Sequence, residues 1–238
     1  MQQIMRRFGL IGFPLSHSFS AKYFADKFER ERLTDCTYSN FPLEQIGMLN
    51  QLIQEHDELI GLNVTIPYKE QVIPYLQRIE EEAAHIGAVN TIRIIRDRGI
   101  IQLNGYNTDA YGFMASLEPY VKKHFNRALI LGTGGASKAV AYVLGRLDME
   151  VIYVSRIPKI KGHLSYRELT PDVMTSCQVI VNASPSGMYP NTDVCPAIPY
   201  DCLTPAHVLY DLVYNPAETK FLALGREKGA VTINGLQM

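Results

Sequence analysis

The chain has 238 residues, enough for one large domain or two modest ones with a substantial core. Its 23 basic and 24 acidic side chains nearly cancel, which removes the electrostatic case for nucleic acid or an anionic membrane as partner. No apolar run approaches the roughly 18 residues of a membrane helix, and the basic-then-apolar start "MRRFGLIGFPL" is cut short by Pro14, Ser16 and His17 before it can serve as a secretory signal.

Strand and helix patterns alternate from end to end, the mark of an α/β architecture with mostly parallel sheets. "FGLIGF" (8–13) reads as a short buried strand, and Phe24 and Phe28 mark a helix that begins near Ser18 or Ser20. "CTYSNF" (36–41) alternates like a strand, and Ile46, Leu49, Ile53 and His56 share one helical face. "LIGLNVTI" (59–66) is a third strand, stopped by Pro67 with Lys69 directly after it; "RIEEEAAHIGAVN" then looks helical up to Gly87. Two β-branched runs around Asp97, Arg98 and Gly99 predict a hairpin. A helix over 109–123 leads out of this first half, and the domain boundary is expected between Tyr106 and Asp109. The second half restarts as strand, glycine turn and helix in "RALILGTGGASKAVAYVLGRL". "EVIYVSR", "CQVIVNAS", "HVLYDLVY" and "AVTIN" follow as strands at α/β spacing. Cys36, Cys177, Cys195 and Cys202 form no CxxC pair and have no clustered histidine, so no metal site or disulfide framework is expected. Scattered thiols fit a reducing, cytoplasmic setting.

Gly132, Gly134 and Gly135 lie between an apolar strand and a helix-forming run, with Ala136 next. A helix N-terminus offers free amide hydrogens and partial positive charge, and glycines let a pyrophosphate approach the backbone. The match to GxGxxG is imperfect, since Ser137 stands at the third glycine position. In an NAD enzyme the next strand usually ends in an acid that holds the ribose 2′-hydroxyl. Here it ends in Ser155 and Arg156, with Lys159 close by, and a hydroxyl with cations suits the 2′-phosphate of NADP.

The first half carries polar residues where strands end. Ser16 and Ser18 follow the first strand, Asn90 follows a helix end, and Asp109 opens the linking helix. Taken singly, each has a second account: a serine that caps a helix, an acid that suits a helix N-terminus, a lysine at Lys69 that is solvated.

In order, "GFPLSHSFS", "NVTIPYK", "GAVNT", "NTDAYG", "GTGGASKA", "VNASPSGM", "LVYNP" and "INGLQM" resemble the shikimate dehydrogenase family, from about residue 9 to the last residue. The resemblance implies an N-terminal α/β substrate-binding domain over 1–108 and a C-terminal Rossmann-type NADP domain over 109–238, with the active-site cleft between them. It implies reversible NADPH-dependent reduction of 3-dehydroshikimate to shikimate, in aromatic amino-acid biosynthesis. The substrate site it implies is Ser16, Ser18, Asn63, Thr65, Lys69, Asn90, Asp109 and Tyr214, with Lys69 and Asp109 catalytic. Small hydroxyls and amides suit a polyol carboxylate, because oriented hydrogen bonds reject analogues that lack a hydroxyl. Cofactor contacts are expected from Gly132, Gly134, Gly135, Ala136, Ser155 and Arg156, and from Asn182, Ser184, Gly235 and Met238. Which of Lys69 and Asp109 moves the proton stays open; the working assignment is Lys69 as acid, tuned by Asp109.

The chain departs from the family pattern at four places. Ala21 follows Ser20 where a proline is common, Ser155-Arg156-Ile157 replaces Asn-Arg-Thr, and Ser184 replaces a threonine. The sequence stops at Met238, where relatives continue into a helix that returns to the substrate domain with a substrate-binding glutamine; an omitted tail is the expectation. A quinate/shikimate dehydrogenase able to use NAD, and a non-catalytic NADP-binding sensor, are the alternatives. The expected partner is a small molecule, and the protein is a monomer or homodimer.

Overall fold

The computed structural model describes residues 5–15, 19–158 and 160–238. The chain divides into two compact units, Met1–Thr108 and Asp109–Met238.

The first unit runs β1 (Arg6–Gly12), α1 (Ser20–Arg30), β2 (Cys36–Pro42), α2 (Leu49–Glu55), β3 (Leu59–Val64), α3 (Tyr68–Gln71), β4 (Arg78–Ile79), α4 (Glu81–Ile86), β5 (Thr91–Asp97) and β6 (Ile100–Tyr106). Its six-stranded sheet has the order β2-β1-β3-β5-β6-β4. β1 is parallel to β2 and β3, whereas β5 is antiparallel to both β3 and β6, so the expected mostly parallel sheet is mixed here. The predicted hairpin makes the β5–β6 reversal: Asp97 pairs with Ile100 across Arg98 and Gly99, both left-handed at φ 48° and 81°. Ile11, Leu49, Leu59, Leu62 and Ile92 are buried in this unit's core, each worth about 1.5–3 kcal/mol of apolar burial.

Several boundaries differ from the sequence reading. Arg78 and Ile79 form an edge strand on β6, and the helix starts only after Glu80, whose side chain accepts from the Ala83 amide at 3.2 Å. Pairing thus overrides local helix propensity, while Gly87 in left-handed conformation ends the helix as the sequence indicated. β3 ends at Val64, because the Tyr68 amide bonds the Thr65 carbonyl and closes a turn into α3. Pro67 has no amide hydrogen to continue a ladder.

The second unit runs α5 (Asp109–Leu117), β7 (Arg127–Leu131), α6 (Gly135–Arg146), β8 (Glu150–Ser155), β9 (Leu164–Ser165), α7 (Pro171–Ser176), β10 (Val179–Asn182), β11 (Val208–Asp211), α8 (Lys220–Glu227) and β12 (Val231–Asn234). α5 stops six residues short of the expected 123, giving way to a 3₁₀ turn over Glu118–Tyr120 that contains Pro119. The six strands have the order β12-β11-β10-β7-β8-β9, and every pairing is parallel. Both faces of such a sheet are covered, which is why β10 and β11 read as continuous buried runs. Leu129, Leu131, Val154, Met174, Ile180, Leu209 and Phe221 lie in its core.

Candidate active site

In the first unit, hydrogen bonds draw four of the candidate residues together around the end of β3 and the start of β5. Asn63, on β3, accepts from the Tyr38 hydroxyl at 2.8 Å and donates to Thr91 Oγ1 at 3.4 Å. Thr91 Oγ1 in turn donates to Asn90 Oδ1 at 3.1 Å, and the Val64 amide donates to the Asn90 carbonyl at 2.7 Å. Thr65, just past the end of β3, donates its amide to the Ile11 carbonyl at 2.9 Å. Lys69 lies in α3, not on the strand, and its carbonyl accepts from the Val89 amide at 2.7 Å. α3 is anchored by the buried Tyr68, whose hydroxyl donates to the Leu43 carbonyl. Lys69 is half-buried, as are Asn63 and Thr65.

Asn90 is largely buried, and its side chain serves the backbone ahead of Asp109. It donates from Nδ2 to Thr108 Oγ1 at 2.9 Å and accepts from the Thr108 amide at 2.9 Å. Asn107 beside it is also buried and donates to the Ala88 carbonyl at 2.9 Å. Two asparagines therefore fix the two residues that precede Asp109, the first residue of α5. Ser16 and Ser18, like Lys159, fall outside the described residues.

In the second unit the glycine turn leaves β7 and enters α6. Gly132 has φ 122°, and a Cβ there would meet the Ala183 carbonyl oxygen at 3.0 Å, so only glycine suits the position. Gly134 precedes the helix with no atom within 4 Å of where a Cβ would stand, and α6 starts without a side-chain cap. The backbone from Gly134 to Ala136 thus offers an approachable helix N-terminus, which fits a phosphate. Ser137 explains its place at the third glycine position: it is fully buried, and its hydroxyl folds back to the Gly134 carbonyl at 2.6 Å.

At the end of β8, Ser155 Oγ turns into its own loop, donating to the Ile157 carbonyl at 3.2 Å. Arg156 is exposed. It lies close enough to Tyr166 that its charge opposes the upward push of burial on that phenol. β9 brings Ser165 beside Ser155 in register, and Ser165 donates its amide and hydroxyl to Glu168 at 2.7 and 2.6 Å. Tyr153 stacks on His163 with ring centroids 4.8 Å apart, a contact the sequence did not signal.

Asn182 is fully buried and its amide is taken up internally: Nδ2 donates to Asp211 Oδ1 and to the Ser186 carbonyl, and Oδ1 accepts from the Ser184 amide and hydroxyl. Its side chain supports the loop and has no free group for a ligand, whereas Ser184 is partly exposed. Asp211, absent from the sequence reading, is buried at the matching position of β11. It accepts from Thr219 Oγ1 at 2.6 Å, Asn182 Nδ2 at 2.9 Å and the Val213 amide at 3.0 Å. Burial pushes its carboxyl up to about 6, against the pull of these donors. Tyr214 is 39% exposed, and burial around its ring raises its phenol. Gly235 is buried, and a Cβ on it would collide with the Leu212 carbonyl. The Met238 amide donates to the Gly235 carbonyl at 3.2 Å, and Met238 packs against Gly112 of α5.

Counting the second unit's strands from β7, the sheet order is 3-2-1-4-5-6, with the glycine turn after its first strand; this is the Rossmann-type dinucleotide-binding class. A family model described as "Shikimate dehydrogenase substrate binding domain" matches residues 10–92. The "Shikimate dehydrogenase (NADP(+))" of Carboxydothermus hydrogenoformans is 43% identical over 97% of this chain and 86% of its own length. Among solved structures, shikimate dehydrogenase from Aquifex aeolicus matches with TM-score 0.84 and 31% identity, over 100% of this chain and 89% of that one. Shikimate 5-dehydrogenase from Thermus thermophilus, solved with NADP(H) and shikimate, matches with TM-score 0.82 and 30% identity, over 98% and 88%. The chain belongs to the shikimate dehydrogenase family.

Proposed function

We propose that this chain catalyses the reversible reduction of 3-dehydroshikimate to shikimate with NADPH, as the relatives' names indicate for those proteins. The observation that carries this reading is the hydrogen-bonded convergence of Asn63, Thr65, Lys69 and Asn90 around the end of β3 and the start of β5, in a chain whose other unit has a dinucleotide-type glycine turn. Residues 1–108 take the substrate in this reading, and residues 109–238 take the cofactor.

Gly132, Gly134, Gly135 and Ala136 receive the pyrophosphate, and Ser155 and Arg156 take the 2′-phosphate. When bound, NADPH supplies the hydride. Ser184, Tyr214, Gly235 and Met238 belong to the nicotinamide and substrate end of the site, with Asn182 as internal support. Ser16 and Ser18 bind the substrate carboxylate; Asn63, Thr65 and Asn90 bind or orient its hydroxyls. The oxygen at C3 gains charge during reduction and must receive a proton. Lys69 holds that proton as an ammonium, stabilises the developing alkoxide and donates; Asp109 orients and tunes it. The reaction runs in the cytoplasm, by a monomer or homodimer.

The test is the initial rate of nicotinamide reduction, with shikimate or quinate crossed against NADP or NAD. Activity confined to shikimate with NADP supports the reading. Activity centred on quinate and NAD would make the protein the rival dehydrogenase, which the end of β8 at Ser155 and Arg156, with no acid there, disfavours. Folded protein that binds NADP and turns over neither substrate would be a sensor.

A further inference from the structure

Three adjacent strands of the second unit end in a row of amide and carboxylate side chains. Asn182 on β10 pairs in register with Asp211 on β11, which pairs with Asn234 on β12. Each side-chain oxygen accepts from the backbone amide two residues further on: Ser184 at 3.2 Å, Val213 at 3.0 Å and Leu236 at 3.2 Å. Each strand end therefore turns its chain in the same way and launches one loop: 183–188, 212–216 with Tyr214, and 235–238.

The middle position differs from its neighbours in being an acid. An asparagine would serve the turn equally well, as it does on both sides, and would avoid the cost of burying a charge. What a carboxylate adds is a second acceptor oxygen. Oδ1 takes the Val213 amide together with Asn182 from β10, and Oδ2 takes the hydroxyl of Thr219, which itself caps α8 by accepting from the Leu222 amide. Asp211 thus ties loop 212–216 at its start to the strand before it and to the helix after it. Asp211, Asn182 and Thr219 are all at most 1% exposed, so these bonds are shielded from water.

We propose that Asp211 is a positioning residue for the nicotinamide end of the site, its carboxylate fixing loops 183–188 and 212–216 relative to each other. This rests on the functional reading above, in which Ser184 and Tyr214 lie on those two loops. The adenine end, assigned to Gly132, Gly134, Gly135, Ala136, Ser155 and Arg156, is carried by the ends of β7 and β8 and meets loop 183–188 only where Gly132 abuts Ala183, the residue anchored to Leu131.

The experiment compares wild type with Asp211→Asn and Thr219→Val by calorimetric titration with adenosine 2′,5′-bisphosphate, which probes only the adenine end, and with NADP. Rates of shikimate oxidation are measured alongside. Asp211→Asn is expected to bind the bisphosphate within about twofold of wild type while kcat falls about tenfold or more, as misplacement of a reacting partner by an ångström costs up to about a hundredfold. NADP affinity falls with it. Thr219→Val, which removes the Oδ2 donor together with the side-chain cap of α8, moves the same quantities in the same direction by less and carries the test if Asp211→Asn does not fold. A general loss of structure would weaken both ligands together. Variants that bind both ligands and turn over like wild type, even if less stable, overturn the positioning role alone. Wild type that binds neither ligand overturns the functional reading, and the positioning role with it.

Discussion

The carbonyl of Lys69 accepts a 2.7 Å hydrogen bond from the amide of Val89, the residue just before Asn90. The backbone of the proposed acid is therefore held to the segment that carries a proposed substrate ligand, independently of its own side chain. Lys69→Ala should leave this bond, and shikimate affinity within about threefold, while kcat falls by about 10²–10⁴, the usual contribution of a positioned proton donor. Equilibrium binding and steady-state rates on the same preparation check this; near-normal turnover would remove Lys69 from proton transfer.

Arg156 is exposed at the end of β8, and Ser155 beside it is partly engaged with its own loop. In the proposed reading the arginine then carries most of the discrimination for the 2′-phosphate. Arg156→Ala should raise KM for NADP about tenfold or more, since hydrogen bonds to charged groups are worth about 1.5–3 kcal/mol. KM for NAD should stay nearly constant. Equal losses with both cofactors would mean that Arg156 maintains the loop instead of reading the phosphate.

Asp211 has a carboxyl pushed up to about 6 from an ordinary value of 3.8, so between those pH values the folded chain keeps a proton that the unfolded chain has lost. Its contribution to stability is full below about pH 3.8 and declines as pH rises through 6, a span worth ~3 kcal/mol. Acidification from pH 7 to 4.5 should therefore stabilise wild type relative to Asp211→Asn, which has no such group. Urea unfolding of both proteins at the two pH values measures the change. A difference that does not vary with pH would show that the three donors keep Asp211 ionised throughout.

Two glycines should separate stability from cofactor binding. A Cβ at Gly235 would strike the Leu212 carbonyl, a backbone atom that cannot rotate away, so Gly235→Ala should cost about 1–3 kcal/mol and lower Tm by several degrees. At Gly134 φ is −82° and no atom lies within 4 Å of the added methyl, so Gly134→Ala should leave Tm nearly unchanged. The methyl would stand where a phosphate is expected to approach, so NADP affinity should fall. Scanning calorimetry and NADP titration of the two variants test the pair; unchanged affinity in Gly134→Ala would move the phosphate elsewhere.

The sequence was most readable where burial makes residues uniform. β10 and β11 are buried at every position, and their apolar runs stood out directly. The hairpin at Arg98 and Gly99 and the cap at Gly87 were legible because a left-handed backbone selects few residues. Arg78 and Ile79 were misread because a two-residue strand has no period of its own; only pairing with Asn104 and Gly105 defines it. Asn182 shows a different limit. A polar residue in a loop motif looks like a ligand, and only the register with Asp211 shows that its amide is used within the fold. Asp211 and Asn234 were visible as letters, but their alignment is a property of the sheet. Ser137 likewise reveals its bond to Gly134 only in the folded turn.

The order of strands also bears on how the chain is built during synthesis, which proceeds from the N-terminus. In the second unit β7 emerges first; β8 and β9 extend it on one side, then β10, β11 and β12 on the other. Every strand that leaves the ribosome finds its partner already made, and none has to insert between two others. The first unit breaks that rule once. β4 pairs only with β6, so Arg78 and Ile79 wait unpaired until the hairpin behind them has formed. Assembly of the first sheet thus finishes at one of its earlier strands, whereas the second grows outward in the order in which it is written.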